Sequence, residues 1–376
     1  MPASFSVNRR GFILMGAALT LGAHAENNTD ETNIILGGGQ FLKEGIAETN
    51  FVLSIVDMST ETRHLSPLTF LAHGIHRNPT NLNRLAIFEK KGPNAVEFDL
   101  DTRQVVRSIP RINNRYFYGH GAYSLDGQRL FSTETQLDTL NGVIAIRNAG
   151  DLSTVGEFPS YGKEPHECKL IDAGKTLVVT NGGGDSRGDR PSVTYIDVQS
   201  QQLIEKVELT NSQLNTGHLA ISPKGDLVVV SAPRLGSVKN GLGGVSIRPQ
   251  GKAIQSISSP APIIERMRGE ALSVAVHSGN GIAAVTHPDG GMVTFWSIED
   301  RSLLKVIELP HPRGVALINR QQDFLVSYGR DASLASIPAN TLELDPQSII
   351  HSSYITGSHI YNWSQQMTEM FYPKGA

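Results

Sequence analysis

The chain has 376 residues, a formal net charge of −3 at pH 7 and one cysteine, Cys168. This balance gives no electrostatic footprint for nucleic acid or for a surface of anionic lipid, so neither is expected as a partner. A lone cysteine excludes an internal disulfide, a CxxC metal site and covalent c-type haem. The 37 glycines and the short apolar runs indicate strands joined by turns.

The N-terminal segment has the features of an export signal. Arg9 and Arg10 precede a Gly-Phe step and an apolar run, and a small-x-small cleavage pattern ends at Ala25. An ordinary Sec signal or an uncleaved anchor is the alternative, but the apolar run is short for a permanent span. We therefore expect residues 1–25 to be a twin-arginine (Tat) signal peptide. The mature chain should then be periplasmic, with no integral membrane span after cleavage.

A repeat spaced by roughly 40–50 residues organises the rest of the chain. Each copy has an apolar strand, a polar turn, a second apolar strand, a Gly-rich loop and two further strands. Six complete copies begin at residues 71, 118, 164, 216, 268 and 312. Four strands per repeat at this spacing are typical of a β-propeller.

The seventh copy is split between the two ends of the chain. GSHIYNW, from Gly357, is expected to supply its inner strand, and the N-terminal segments NIILGGGQ, FVLSIVDM and TRHLSPL its outer strands. The fold class is therefore predicted as all-β, a seven-bladed β-propeller whose last blade is closed by N- and C-terminal segments. Residues 26–376 would form this single domain. A pair of β-sandwiches or a six-bladed ring is the alternative.

Histidines recur at the start of the first strand in most copies. First strands line the channel of a propeller and run in the same direction, so equivalent positions should form a ring at one mouth. The predicted ring members are His73, His120, His166, His218, Glu270, Arg313 and His359. The five imidazoles would suit a transition metal ion such as zinc, copper or iron. Alternatively, each imidazole only hydrogen-bonds the backbone of a neighbouring blade.

The loops between second and third strands return to the same face as the ring. The two longest, residues 181–192 and 232–244, lie there, and long insertions on one face mark the binding face of a repeat protein. Cys168 is expected to be a small buried residue rather than a ligand. The candidate ligand-binding residues on this face are Glu89, Glu134, Asn181, Glu270, His287 and Arg313.

Several motifs resemble a family of Tat-exported periplasmic seven-bladed β-propellers classed as a domain of unknown function. The resemblance covers about residues 33–363 and is most specific in RYFYGHGAYSLDGQRLFSTET and EFPSYGKEPHECKLIDAGKTLVVTNGGG. The residues that occupy the positions of the family's usual motifs are His120, Glu134, His166, Glu167, Asn181 and His218. The terminal motif of the family is reduced to Gly357-Ser358-His359, which weakens the assignment of His359 to the ring.

The resemblance implies a periplasmic protein encoded near imelysin-like and di-haem proteins tied to iron handling, and it implies no activity. Two functional hypotheses remain. The first is a binding or accessory module that holds a small ligand or metal ion at the mouth, with periplasmic iron-handling proteins as partners. The second is a metal-assisted, lactonase-like hydrolase with Glu134, Glu270 or a ring histidine as general base.

Overall fold

The computed structural model describes residues 33–42, 49–237 and 241–363. The predicted signal peptide, residues 1–25, lies outside these residues. Within them the chain forms 27 strands in seven antiparallel sheets, with one short α-helix and one short 3-10 helix. The predicted all-β, seven-bladed propeller is therefore confirmed.

Each blade is built from strands in chain order, numbered here along the sequence. The first three strands are β1 (Ile34–Leu42), β2 (Thr49–Asp57) and β3 (Thr62–Leu68). Blade 1 contains β4 (Ala72–Arg77), β5 (Arg84–Glu89), β6 (Ala95–Asp99) and β7 (Gln104–Ser108). Blade 2 contains β8 (Arg115–Tyr123), β9 (Arg129–Gln136), β10 (Asn141–Asn148) and β11 (Thr154–Lys163). Blade 3 contains β12 (Pro165–Ile171), β13 (Thr176–Asn181), β14 (Ser192–Asp197) and β15 (Leu203–Glu208).

The second half of the chain continues the same pattern. Blade 4 contains β16 (Leu219–Ile221), β17 (Leu227–Ser231), β18 (Gly244–Arg248) and β19 (Gln255–Ser256), followed by helix α1 (Ala261–Ile264). Blade 5 contains β20 (Val274–His277), β21 (Ile282–His287), β22 (Met292–Ser297) and β23 (Leu303–Glu308). Blade 6 has three strands among the described residues, β24 (Val315–Ile318), β25 (Asp323–Tyr328) and β26 (Ser333–Pro338), and a 3-10 helix (Pro346–Ser348) follows.

Blade 7 combines strands from both ends of the chain. Its order is β27 (Tyr361–Asn362), β1, β2 and β3. The pairing of β27 with β1 is short and antiparallel, with Ile35 opposite Asn362 and Leu36 opposite Tyr361. The side chain of Asn362 adds hydrogen bonds to Asn33 and to the carbonyl of Leu317 in blade 6.

Apolar packing between neighbouring blades holds the ring together. Seven clusters of buried side chains occur in the described residues, one at each interface between adjacent blades. Phe88 of blade 1 and Phe117 of blade 2, for example, are both buried, with ring centroids 5.7 Å apart. Removing one such ring would cost about 3–5 kcal/mol. The inner strands are thereby fixed around the channel, and their polar residues are left to face its axis.

Among the described residues, no helix has the length and apolar character needed to cross a membrane.

Candidate metal centre

Five imidazoles converge inside the channel and form what we call the histidine cluster. Its members come from five consecutive blades of the ring, blades 7, 1, 2, 3 and 4, and each side chain is between 1% and 9% exposed. The members are His359, His73, His120, His166 and His218, and in nine of their ten pairs the ring centroids are between 4.0 and 5.6 Å apart. The five predicted histidines therefore lie together.

Interruptions of strand register direct three of these imidazoles toward the axis. In blade 1 the register between β4 and β5 shifts between Ala72 and Gly74, at His73. In blades 2 and 3 the corresponding shifts span His120 and His166. A bulge inserts unpaired residues into one strand and changes the direction of a side chain, and such features are common beside functional sites. The bulges therefore position the imidazoles within the channel.

The Gly-His-Gly sequence of blade 2 is explained by crowding at the axis. Gly119 has a φ of +130°, a conformation that L-residues with a side chain rarely adopt. A Cβ atom at Gly119 would also approach the ring of His73, and one at Gly74 would overlap the carbonyl oxygen of Gly119. Blades 1 and 2 therefore approach closely only because both positions are glycine.

Hydroxyl groups on second strands fix the starts of the neighbouring inner strands. Thr133 Oγ1 lies 3.0 Å from the carbonyl oxygens of both His120 and His166 and shares its one hydroxyl proton between them. Thr180 Oγ1 donates in the same way to Gly217, at 2.8 Å. These buried bonds join adjacent blades at the height of the histidine cluster and contribute about 1 kcal/mol each.

Three pairs of ring nitrogens in the cluster lie at distances that fit a hydrogen bond between the rings and also fit two nitrogens bound to one metal ion. The Nε2 atom of His218 lies 2.8 Å from Nε2 of His359 and 3.2 Å from Nε2 of His73, which lies 3.1 Å from Nε2 of His166. Two nitrogens bound to one metal at about 2.0–2.1 Å are about 2.9 Å apart at a right angle and about 3.4 Å apart in a tetrahedron. The ligand atoms of His73, His120, His218 and His359 all lie within 4.8 Å of one another.

The hydrogen bonding of His218 fixes its tautomer. Its Nδ1 lies 2.6 Å from the carbonyl oxygen of Leu272 in blade 5. A carbonyl oxygen only accepts, so Nδ1 carries the proton and Nε2 of the neutral ring presents its lone pair to the cluster. A backbone partner on the outer nitrogen is the usual arrangement of a metal-ligating histidine.

His120 is the least satisfied member of the cluster. Its side chain is 1% exposed, and neither ring nitrogen has a hydrogen-bond partner among the described residues. An unsatisfied buried polar group costs about 1–3 kcal/mol, so an imidazole retained in this position calls for a partner. The alternative expectation was that each imidazole bonds only to the backbone of a neighbouring blade. Nδ1 of His218 forms such a bond, whereas His120 does not.

Burial keeps the cluster uncharged near neutral pH. It lowers the pKa of His218 to about 3, with the charge of Lys90 acting in the same direction. Burial, followed by neighbouring imidazoles, holds the pKa values of His73, His120, His166 and His359 well below 6.5. The lone pairs that a metal requires are therefore available without loss of a proton.

In blades 5 and 6 the position equivalent to the cluster histidines is occupied by a small residue. This corrects the alignment of the repeat copies made from the sequence. In blade 4 the carbonyl of His218 accepts from Val230 N–H, and the equivalent acceptors are Ser273 in blade 5 and Gly314 in blade 6. The predicted ring members Glu270 and Arg313 are therefore not in register with the histidines. Loops of unequal length before β20 and β24 hid this difference.

The histidine cluster lies between two cavities. The channel cavity, of about 200 Å³, is lined by inner strands of all seven blades and includes His76, His218 and His359. The mouth cavity, of about 930 Å³, is lined by the starts of inner strands and by the loops between second and third strands, and includes His166 and His218. His218 contacts both, so the cluster separates the two spaces.

Lysines beside the cluster are a feature that the sequence did not reveal. Lys90 lines the mouth cavity, lies 3.9 Å from Glu270, and is partly exposed toward that cavity. Lys169 lines the channel cavity and lies 3.9 Å from Glu167. Lys90 directly follows the candidate Glu89, but a lysine after a strand carries no signal that separates it from an ordinary surface residue.

Two candidate mouth residues are used in contacts within and between strands. Glu134 is buried, accepts from Arg147 at 2.6 Å and lies 3.8 Å from Arg115. Asn181 is buried and bonds to the hydroxyl groups of Ser160 and Thr194, at 2.6 and 3.1 Å. Glu134 therefore joins strands within blade 2, Asn181 joins blade 3 to blade 2, and neither residue lines the mouth cavity.

The remaining candidates lie apart from the cluster or at its edge. Glu89 accepts from the backbone and side chain of Asn94 across a turn. His287 is buried in blade 5, where its Nε2 lies 2.9 Å from Thr294 Oγ1. Arg313 donates through Nε to the carbonyl of Gly357, at 3.2 Å. Cys168 is 2% exposed and packs in the apolar cluster between blades 2 and 3, as expected of a small buried residue.

The fold and the site together define a seven-bladed β-propeller with a buried histidine cluster in its channel. The chain belongs to the family described as "Protein of unknown function (DUF1513)", whose model matches residues 66–353. That range includes four members of the cluster and ends before His359. No curated protein matches the chain.

Solved structures share the fold. The hydrazine synthase of Kuenenia stuttgartiensis is similar with a TM-score of 0.63 and 13% sequence identity, over 85% of this chain and 100% of that chain. At this identity the likeness concerns the fold alone.

Proposed function

We propose that this protein is an exported propeller that binds a transition metal ion at the histidine cluster and acts as a binding or accessory module. The observation that carries the proposal is the convergence of ring nitrogens at 2.8–3.2 Å, with the lone pair of His218 directed inward by its bond to Leu272. Imidazole donors without a carboxylate favour zinc, copper or ferrous iron over calcium or magnesium.

Metal analysis of the mature protein tests this proposal. The protein is stripped with a chelator, reloaded with Zn²⁺, Cu²⁺ or Fe²⁺ and freed of excess metal, and we expect close to one equivalent to stay bound. Replacing His120 and His166 by Ala should remove the metal while the far-UV circular dichroism remains that of the folded chain. His287→Gln is the matched control, because His287 is equally buried but lies in blade 5 away from the cluster. A wild-type chain that retains no metal would contradict the proposal.

Export through the Tat pathway is part of the same proposal and rests on the N-terminal sequence. The pathway carries folded proteins, so a metal could be inserted before export. Replacing Arg9 and Arg10 with Lys should leave the precursor in the cytoplasm, as measured by cell fractionation. Mature protein at its normal periplasmic level in this variant would exclude the assignment.

Iron handling in the periplasm is the setting that the family resemblance favours, with imelysin-like and di-haem proteins as partners. Retention of Fe²⁺ in preference to Zn²⁺ under anaerobic loading would support that setting. Co-purification of an iron-handling protein with the periplasmic form would support the accessory role.

A metal-assisted hydrolase is the second candidate, and Glu270 is the residue that favours it. Glu270 lines the mouth cavity beside His166 and His218, where a general base could act on a metal-bound substrate. Glu134 is not placed for this role, because its carboxylate accepts from Arg147 and Ser132 and does not line the mouth cavity. Lactone hydrolysis by the metal-loaded protein that is lost in Glu270→Gln would establish this alternative.

A further inference from the structure

The acidic residues next to the histidine cluster are each matched by a lysine. On the mouth side Glu270 lies 3.9 Å from Lys90, and on the channel side Glu167 lies 3.9 Å from Lys169. Glu167 also accepts from the backbone N–H of Leu219, at 2.8 Å. Among the described residues, no carboxylate joins the four histidines whose ligand atoms lie within 4.8 Å of one another. The immediate surroundings of the cluster therefore sum to no net negative charge.

A divalent ion at this position would be a buried charge without compensation. Five neutral imidazoles supply lone pairs but no charge, and the cluster is almost fully buried. An uncompensated charge in such an environment costs several kcal/mol, so buried ions are found with counter-charges. Either the metal is monovalent, or the negative charge comes from outside the protein.

The mouth cavity is the route by which a counter-charge can arrive. It has a volume of about 930 Å³, and His166 and His218 form part of its lining. The ammonium groups of Lys90, Lys91 and Lys163 line it as well, each paired with a carboxylate at 3.6–3.9 Å. The channel cavity is smaller, about 200 Å³, and its lining mixes apolar side chains with the charged side chains of Arg77, Glu167 and Lys169.

We propose that a small carboxylate enters through the mouth cavity, binds the metal ion on the side of His166 and His218, and is attracted there by Lys90. This inference rests on the proposed metal centre and adds its ligand class. The carboxylate would supply the charge that the histidine cluster lacks. The ammonium group of Lys90 would then interact with both the carboxylate of Glu270 and the bound anion.

Anion titration of the Co²⁺-loaded protein tests this inference. Co²⁺ is used because its visible absorption changes when its ligands change, and the probes are acetate and azide at pH 7. We expect both anions to alter the spectrum with a saturating dependence on concentration. Acetate should also tighten the apparent affinity for Co²⁺, since linkage between two ligands is reciprocal.

Variants of Lys90 identify the group that attracts the anion. Lys90→Met should weaken acetate binding about tenfold through loss of one nearby charge, and Lys90→Arg should restore most of the affinity. Lys305→Met is the matched control, because Lys305 pairs with Glu343 at 3.8 Å on the outside of blade 5. Its anion affinity should equal that of the wild type.

The possible outcomes separate this inference from the metal proposal. If the wild-type protein binds neither Co²⁺ nor any of Zn²⁺, Cu²⁺, Fe²⁺ and Cu⁺, both proposals fail. If Co²⁺ binds and neither anion changes its spectrum, the metal centre stands and the carboxylate site is refuted. If Glu270→Gln weakens Co²⁺ binding while acetate has no effect, Glu270 is the counter-charge and the inference is again overturned. Tight binding of Cu⁺ without any anion effect, together with weak binding of divalent ions, would also overturn it.

Discussion

Metal binding at the histidine cluster should release almost no protons from the protein at pH 6. An ordinary histidine has a pKa of about 6.5 and is about three-quarters protonated at this pH. Four such ligands would together lose about three protons when a metal displaces them. Burial lowers the pKa of His218 to about 3 and holds those of His73, His120 and His359 well below 6.5. The folded protein therefore presents neutral rings before the metal binds.

The same reasoning gives the expected dependence of affinity on pH. Between pH 8 and pH 6, proton competition would weaken a site of four ordinary histidines by a few hundredfold. At the buried cluster the pH stays above the pKa values of the folded state throughout this range, so the affinity should change by less than about threefold.

Isothermal titration calorimetry of Zn²⁺ binding at pH 6, in two buffers of different ionisation enthalpy, measures the proton count directly. The same titration at pH 8 gives the affinity ratio. The urea-unfolded chain is the control, because its histidines have ordinary pKa values and should release protons on binding Zn²⁺. Release of about three protons by the folded protein at pH 6 would show that the imidazoles are solvated, and the reasoning from burial would be refuted.

Three further predictions concern stability and packing. Glu134→Gln should lower the free energy of unfolding, measured by urea unfolding, by about 3–5 kcal/mol, because it removes the carboxylate that pairs with buried Arg147. The metal content should stay unchanged, and loss of metal without loss of stability would contradict this prediction. The metal-free chain should be most stable above about pH 6.5, because burial lowers the pKa values of His218 and His287 to about 3 and the unfolded state therefore takes up protons first as the pH falls. Each of the two histidines should lower the free energy of unfolding by about 2 kcal/mol at pH 5, and a free energy of unfolding that stays constant from pH 8 to 5 would be inconsistent with this. Gly74→Ala should abolish metal retention and lower the melting temperature, whereas Gly156→Ala, whose added methyl would meet only one side chain at 3.6 Å, should be tolerated.

The repeat carried enough information to predict the blades and the meeting of the five histidines. Each blade repeats the same strand-turn-strand pattern, so the spacing of the copies predicts their number and the start of most inner strands. The pattern could not predict the local register. His73 and His120 lie at interruptions of strand pairing, and a bulge depends on tertiary crowding that leaves little trace in the sequence beyond neighbouring glycines.

Errors in the predicted site have identifiable physical causes. Aligning the copies by their repeat pattern placed Glu270 at the ring position, whereas backbone hydrogen bonding places Ser273 there. Glu134 was assigned to the mouth because it lies near the end of a second strand, but buried Arg147 on the adjacent strand β10 takes its carboxylate. The two residues lie on consecutive strands of one blade, and their contact depends on strand register, so only the folded chain reveals that the carboxylate is already used.

One of the five imidazoles, His359, belongs to the C-terminal segment that closes the ring of blades. His359 is separated from His218 by 141 positions in the chain, yet their Nε2 atoms are 2.8 Å apart. The strand that follows His359, β27, pairs with β1 through two residues only. A metal held by His359 and by histidines of blades 1 and 4 would connect the C-terminal segment to the rest of the ring across the channel. Together with the β27–β1 pairs and the side-chain bonds of Asn362, it would oppose separation of the chain ends, in the way that any cross-link over a long loop favours the closed form.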